Sequence, residues 1–268
     1  MIKKENEQIS KAAYDVLELK YKLRKVFSRI DETSLDLLIS AFTEYNPIMP
    51  TQRFFKWLDD LNEKTVFHVK PIPLKDVKGW YFDAHRNLRH DSGKFFSVEG
   101  IHVKTNVGNV KDWRQPIIRQ PEVGILGFIC QKREGILYFL TQAKIEPGNV
   151  NKIQMSPTVQ ATKSNYSQVH GGNLPPYLEY FLDTKDKKII VDQLQSEQGA
   201  RFYKKRNRNM IIEVSEHVTI ELLENFCWLT LGQIKRLLQN DNMVNMNTRT
   251  VLSWLADTRF LPSGVNTK

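Results

Sequence analysis

The chain has 268 residues, of which 41% are hydrophobic and 26% are charged, and its formal net charge is +9. This composition is ordinary for a soluble globular protein that buries a sizeable core. No run of eighteen apolar residues occurs and the first residues lack an apolar segment, so neither a membrane span nor a secretory signal is expected. The positive charge suits an anionic partner such as nucleic acid, a phosphorylated metabolite or an acidic lipid.

The two cysteines, Cys130 and Cys227, lie inside apolar runs and outside any C-x-x-C or zinc-binding pattern. Two separate buried thiols are typical of a reducing compartment. We therefore predict a cytoplasmic protein in which both thiols only fill space in the core.

The N-terminal region has the apolar spacing of helices. The pattern predicts one helix within residues 7–30 and a second, capped by Thr33 or Ser34, that ends before Pro47. Thr51 is positioned to cap a third helix. Residues 1–62 are thus predicted to form an N-terminal helical segment.

From Val66 onward the pattern changes to short apolar segments typical of strands. The predicted strands lie at residues 66–74, 95–105, 122–131, 136–144, 187–194 and 209–214. The third and fourth of them flank residues 132–135 (KREG), which predicts a tight hairpin.

After Thr219 the pattern again favours helices. Thr230 and Gln233 have capping-box spacing, and Asn247 or Thr248 is positioned to cap the last helix. The interpretation is an α+β fold with a mixed or antiparallel sheet, in which residues 63–258 form one unit and residues 259–268 a frayed tail.

Several common catalytic and cofactor motifs are absent. The sequence contains no G-x-G-x-x-G, no G-x-x-x-x-G-K-[ST], no G-x-S-x-G and no H-E-x-x-H, and its six histidines are scattered. No metal site is predicted from this spacing.

Polar segments instead follow the predicted strands, at residues 113–116, 142–149, 156–166, 195–202 and 206–209. Each one alone is explained by loop and cap residues that satisfy backbone groups. Together, at strand ends, they favour one shared cleft. The stretch SPTVQATKSNYSQVHGG, residues 156–172, has one fixed charge and suits either a linker or a binding loop.

The motifs WRQPI, QAKIEPGN, SPTVQATKSNY, LQSEQGARF, KRNRN, WLTLGQIKRLL and DNMVNMNTRTVLS resemble the NDP-hexose 2,3-dehydratase family over roughly residues 40–255. The resemblance implies a Nudix-like mixed β-sheet core flanked by N-terminal and C-terminal helices, without the metal-binding Nudix box. It also implies dTDP-4-keto-6-deoxyglucose as substrate and a lyase reaction that yields a 3,4-diketo-2,6-dideoxy sugar nucleotide. No cofactor is expected, because the substrate ketone is itself the electron sink.

The resemblance implies partners as well. The diketone product would pass to an NADPH-dependent 3-ketoreductase. Family members are usually about twice as long and contain two repeats, whereas this chain has one. Either two chains form a homodimer, or the chain is a shortened product of doubtful activity.

The resemblance assigns proton transfer to Glu197, with Lys144, Tyr166 and His170 as further catalytic candidates. Each has a simpler interpretation, since Glu197 suits an exposed surface and Lys144 suits an ion pair with Glu146. The implied substrate-binding residues are Thr162, Lys163, Ser164, Asn165, Tyr166, Gln115, Gln142, Ser196 and Gln198, with Arg201, Arg206 and Arg208 for the diphosphate and Trp80 or Trp113 for the thymine.

Two other functions stay open. One is a catalytically degenerate half-subunit that binds nucleotide sugar and stabilises a partner. The other is a basic nucleic-acid-binding protein that uses residues 201–209, although no recognised nucleic-acid-binding signature accompanies them.

Overall fold

The computed structural model describes residues 15–163 and 174–255. Its helices are α1 (15–26), α2 (Glu32–Phe42), α3 (Thr51–Lys64), α4 (Glu179–Leu182), α5 (Leu231–Leu237) and α6 (Met246–Leu252). Short 3-10 helices lie at Leu74–Asp76 and Ser253–Leu255. The helices at both ends of the chain flank two β-sheets.

The small sheet is antiparallel, with strand order β1-β2-β3-β4. Its strands are β1 (Trp80–Phe82), β2 (Leu88–His90), β3 (Ser97–Lys104) and β4 (Asp112–Arg119). A short connection leads from β4 to the next strand, and a parallel bridge between Ile118 and Phe202 joins β4 to the segment that follows β9.

The large sheet is mixed and has seven strands, in the order β11-β6-β5-β10-β9, with β7 paired to β6 and β8 paired to β5. Its strands are β5 (Gly124–Arg133), β6 (Ile136–Ile145), β7 (Ile153–Ser156), β8 (Val159–Ala161), β9 (Lys188–Ser196), β10 (Arg206–Val214) and β11 (Phe226–Thr230). Only β5 and β10 run parallel; the other pairs are antiparallel. The predicted α+β class with a mixed sheet and flanking helices is confirmed.

Strands β5 and β6 are apolar on both faces because helices cover the large sheet on both sides. One face packs against α3, α5 and α6, and the other against α1, α2 and α4. The predicted hairpin between β5 and β6 is confirmed, with Glu134 and Gly135 both at positive φ, as a two-residue turn requires.

Buried polar contacts fix the N-terminal helices to this sheet. The Asn46 side chain donates to the Trp228 carbonyl and to Gln233 Oε1, at 2.8 and 2.7 Å, and accepts from two backbone amides. The Ser40 hydroxyl donates to the Leu137 carbonyl at 2.6 Å. Helices α2 and α3 therefore belong to the core, while the boundary at residue 62 stays a prediction.

Some predicted elements were wrong. Residues 66–73 form no strand; they contain two prolines, which lack the amide hydrogen that a strand ladder needs. Strand β11 lies where helices were predicted, because its apolar run is short and buried on both faces. The last helix is capped by Asn245, whose side chain accepts from the Thr248 amide. The capping box of Thr230 and Gln233 is confirmed.

Both cysteines are free and fully buried, as predicted. Burial raises the pKa of Cys227 to about 12 and raises that of Cys130 well above its ordinary value. Across residues 15–163 and 174–255, no helix is long and apolar enough to cross a membrane. The same ranges contain no cluster of three metal-ligating side chains.

Candidate functional site

The polar ends of four strands of the large sheet surround a cavity of about 310 Å³, called the site cavity below. Strands β5 and β10 begin here, and the antiparallel strands β6 and β8 end here. Because strand direction brings these ends to one edge, their polar side chains meet. The cavity is lined by Gln120, Gly124, Leu126, Lys144, Glu146, Gln160, Ala161, Thr162, Glu197, Phe202, Lys205, Asn207 and Asn247.

One wall of the site cavity carries Lys144, Glu146 and Gln160. The Gln160 amide donates to Glu146 Oε1 at 2.7 Å, and Asn245 donates to Gln160 Oε1 at 3.3 Å. The amine of Lys144 lies 3.5 Å from the Gln160 carbonyl and makes no ion pair within the described part of the chain. Burial lowers the pKa of Lys144. The predicted alternative, a Lys144–Glu146 ion pair, is thus not formed.

The opposite wall carries Glu197, Lys205 and Asn207. The Asn207 amide donates to Glu197 Oε1, and the Lys205 amine donates to the Glu122 carbonyl. Lys205 is 5% exposed, and burial lowers its pKa despite the opposing effects of Glu122 and Glu197. Each wall therefore combines a lysine, a carboxylate and an amide that donates to the carboxylate; the lysine is buried in one wall (Lys205) and partly exposed in the other (Lys144).

A second cavity of about 580 Å³ adjoins the first, and both share Glu197, Phe202 and Lys205 as wall residues. Its other wall residues are Ile101, Ile117, Ser196, Gly199, Tyr203, Lys204 and Arg206. Three basic side chains face one carboxylate there, so this cavity favours an anion. Its apolar and aromatic walls suit a flat ring.

The structure brings together five of the sequence-predicted site residues. Lys144, Thr162 and Glu197 line the site cavity, and Ser196 and Arg206, together with Glu197, line the second cavity. They come from four different strands or strand ends, which is the convergence that the polar segments predicted.

Other predicted residues lie elsewhere. Trp80 packs among His90, Phe95 and Phe96 of the small sheet. Arg208 forms a bidentate pair with Asp192, at 2.7 and 2.6 Å, on the neighbouring strand β9. The remaining ones, which line neither cavity, are Trp113, Gln115, Gln142, Lys163, Gln198 and Arg201.

Four predicted residues, Ser164, Asn165, Tyr166 and His170, lie outside the described residues. The start of their segment is described: Val159–Ala161 forms strand β8, and Thr162 reaches the site cavity. The first part of the stretch 156–172 is therefore a strand that leads into the site.

Sequence reasoning missed Lys205, Asn207, Gln160 and Asn247. Strand alternation gives no signal for Asn207, because Ile211 on one face of β10 and Met210 and Ile212 on the other are all core residues. Lys205 carries no signal either, since its amine bonds to the Glu122 carbonyl, which is far away in sequence.

Comparison with known proteins gives the same family as the motifs. Residues 51–255 match the NDP-hexose 2,3-dehydratase family. The chain is 53% identical over 215 residues to dTDP-4-dehydro-6-deoxy-alpha-D-glucopyranose 2,3-dehydratase of Saccharopolyspora spinosa, covering 80% of this chain and 44% of the relative. An enzyme of the same name from Amycolatopsis orientalis is 47% identical over 225 residues, covering 82% and 47%. The chain thus spans less than half the length of these curated relatives.

Two solved structures align with part of the chain. An ADP compounds hydrolase has a TM-score of 0.36 and 13% identity, over 60% of this chain and 83% of that one. The Ap4A hydrolase of C. elegans has a TM-score of 0.31 and 14% identity, over 51% and 100%. Both scores are below 0.5, so neither structure bears on the fold or the function of this chain.

Proposed function

The chain belongs to the NDP-hexose 2,3-dehydratase family, and on that premise we propose that it removes water from dTDP-4-keto-6-deoxyglucose. The product would be a 3,4-diketo-2,6-dideoxy sugar nucleotide. The observation that carries this proposal is the site cavity, where Lys144, Glu197 and Lys205 surround a space suited to a sugar.

The proposed reaction is an elimination assisted by the ketone on carbon 4. A base removes the acidified proton from carbon 3, and an enolate forms with its negative charge on the carbon-4 oxygen. A general acid then protonates the leaving hydroxyl of carbon 2, so that one water departs. The resulting enol tautomerises to the ketone at carbon 3, with a methylene at carbon 2.

We assign the proton transfer at carbon 3 to Glu197. The amide of Asn207 orients this carboxylate, which lines the site cavity. Lys144 and Lys205 are the donors proposed for the enolate oxygen, because an ammonium shielded from water, wholly or in part, stabilises a developing negative charge. Tyr166 and His170 stay alternative acids for the leaving hydroxyl.

The second cavity is proposed to hold the nucleotide. Arg206 and Lys204 would pair with the diphosphate, and Phe202 and Tyr203 would contact the thymine. This arrangement is supported by the shared wall of Glu197, Phe202 and Lys205, since a sugar nucleotide is one continuous ligand. It replaces Trp80 and Trp113 as the proposed thymine contacts.

We further propose that two copies of the chain associate. The relatives are more than twice as long as the matched segment, so a second copy would supply an equivalent length. Residues 66–74 support this idea, because this extended segment exposes Val66, Val69, Ile72 and Leu74 by 54–84%. Sedimentation equilibrium at micromolar concentration tests it, and a monomer throughout the range rejects it.

Turnover is tested by incubating the full chain with dTDP-4-keto-6-deoxyglucose and measuring the release of free dTDP. Adding a 3-ketoreductase and NADPH traps the diketone, so that NADPH oxidation reports its formation. Binding of dTDP without turnover would favour the degenerate half-subunit. Tight, salt-dependent binding of random DNA or RNA without dTDP binding would favour the nucleic-acid function.

The role of Glu197 is tested by Glu197→Gln, which keeps the side-chain shape and removes the base. We expect the rate to fall about 10²–10⁴-fold while dTDP binding is retained. The matched control is Glu216→Gln, because Glu216 is exposed in the turn after β10. An unchanged rate in Glu197→Gln removes this residue from the mechanism.

A further inference from the structure

The loop between β9 and β10, residues 197–205, carries the whole wall that the two cavities share. Glu197, Phe202 and Lys205 all belong to it. A loop of this length has many conformations in isolation, and ordering it costs conformational entropy. The contacts that hold the loop therefore help to determine where these three side chains lie, in addition to the bonds of Glu197 with Asn207 and of Lys205 with the Glu122 carbonyl.

The loop is held against strand β4 of the small sheet. The Ile118 amide donates to the Arg201 carbonyl at 2.9 Å, and the Tyr203 amide donates to the Ile118 carbonyl at 2.8 Å. A side chain adds a third contact, because the Gln115 amide donates to the Ala200 carbonyl at 3.0 Å. The loop is thus fixed to the small sheet at three successive points.

Trp113 fixes the orientation of the Gln115 amide. Its indole nitrogen donates to Gln115 Oε1 at 2.9 Å. An indole N–H is only a donor, so the amide oxygen must face Trp113 and the amide nitrogen must face Ala200. The pair Trp113 and Gln115 therefore acts as a clamp whose amide nitrogen donates to the Ala200 carbonyl at 3.0 Å and also lies 3.4 Å from the Pro116 carbonyl.

We propose that Trp113 and Gln115 are positioning residues, which hold the loop 197–205 so that Glu197 and Lys205 face the bound sugar. This inference rests on the proposed dehydratase function and gives the small sheet a part in it. The clamp residues line neither cavity, so they act on the reaction only through the loop.

The test is the pair Gln115→Glu and Trp113→Phe. Glutamate keeps the size of Gln115 and still accepts from Trp113, but as a carboxylate it cannot donate to the Ala200 carbonyl. Phenylalanine keeps a six-membered aromatic ring and loses the five-membered ring that carries the indole donor. The control is Arg114→Gln, which changes the intervening residue, whose side chain points to the other face of the strand.

Amide hydrogen exchange of residues 198–203 is the first measurement. We expect Gln115→Glu to accelerate exchange there about tenfold and Trp113→Phe to do so less, with strands β5 and β6 unchanged. Arg114→Gln should match the wild type. Unchanged loop exchange in Gln115→Glu, or equal acceleration throughout the small sheet, overturns the clamp.

Steady-state kinetics are the second measurement. A displaced proton-transfer group lowers kcat, so we expect kcat to fall about tenfold in Gln115→Glu with KM changed less than threefold. Faster loop exchange with unchanged kcat overturns the positioning role. If the wild type binds dTDP but does not turn over, the dehydratase proposal fails, while the exchange result still decides whether the clamp exists.

Discussion

The two sheets of this protein are stabilised in different ways. The large sheet buries both faces under helices, and its central strands β5 and β6 are almost wholly apolar. The small sheet is half exposed, and charged side chains link its strands: Glu99 accepts from Arg89 at 3.2 Å and lies 3.5 Å from Arg119. The large sheet therefore supplies a rigid frame, and the small sheet is a weaker support that carries one wall of the site.

The first prediction tests whether stability resides in the large sheet. Phe139 is fully buried, with its ring 5.8 Å from that of Phe128. We expect Phe139→Ala to lower the free energy of unfolding by about 3–5 kcal/mol, because it leaves a cavity. A matched pair deletes the same two methyl groups in each sheet: Val159→Ala, at a position 1% exposed in β8, should cost more than Val103→Ala in the partly exposed β3, which should cost about 1 kcal/mol or less. Urea unfolding measures all three, and equal losses in the matched pair would contradict the comparison.

The second prediction tests the charge network of the small sheet. Glu99→Gln removes the negative charge shared by Arg89 and Arg119, in a side chain that is only 19% exposed, and keeps an oxygen that accepts from the Ser97 hydroxyl. We expect the local free energy of unfolding to fall by about 1–2 kcal/mol, because a network of charges contributes more to stability than an isolated surface ion pair does. Hydrogen exchange should accelerate in β2 and β3 but not in β5. Unchanged exchange would mean that apolar contacts alone hold this sheet.

The third prediction separates two arginines on β10 of the large sheet. Arg206 lines the second cavity, whereas Arg208 pairs with Asp192. We expect Arg206→Gln to weaken dTDP binding about tenfold, as the loss of one charged contact does. Arg208→Gln should leave binding unchanged and cost under about 1 kcal/mol of stability. Calorimetric titration with dTDP measures the affinity of both variants. A larger loss of affinity in Arg208→Gln than in Arg206→Gln would assign the diphosphate contact to Arg208 instead.

The fourth prediction concerns the pH dependence of stability. Burial lowers the pKa of Lys205 in the folded chain, so the unfolded chain binds more protons as pH approaches the ordinary lysine value of about 10.4. This lysine therefore makes stability rise with pH in that window. Tyr138 acts in the opposite sense, since burial raises its pKa to about 12.

The difference in stability between Lys205→Met and the wild type, measured as a function of pH, gives the contribution of this lysine alone. Thermal unfolding between pH 7.5 and about 10 should show a smaller increase, or a larger decrease, in stability for the variant. Parallel curves would mean that Lys205 keeps its ordinary pKa. The exposed Lys185→Met serves as a control, because that side chain has no burial to lose.

The large sheet was predictable where periodicity is strong. A β-hairpin is the interpretation that fits the apolar runs of β5 and β6 and the turn at Glu134 and Gly135 between them. The capping box at Thr230 likewise indicated where a helix begins. Strands β1, β2 and β4 were missed because their residues are mostly polar or exposed. Their pairing depends on cross-strand partners that local pattern does not reveal.

The candidate site was predictable as a region but not as a set of contacts. Polar residues at strand ends indicated Lys144, Thr162 and Glu197 correctly as neighbours. The basic turn 201–209 looked uniform, yet its side chains have different environments: Lys205 is buried, while Arg208 is paired with Asp192. Contacts between residues far apart in sequence determine these environments. The spacing of residues along the chain does not reveal such contacts.

The parallel pairing of β5 with β10 has a consequence for synthesis on the ribosome. Strand β5 ends at Arg133, but its partner β10 begins at Arg206. The edge of the β5–β6 hairpin that pairs with β10 therefore stays unpaired until residues 134–214 have been synthesised. Non-local pairing of this kind forms slowly. Until it forms, an apolar strand edge is open to other chains, which is a route to aggregation. We therefore expect products that terminate before residue 206 to be insoluble, and slower elongation through 134–205 to lower the soluble yield of the full chain.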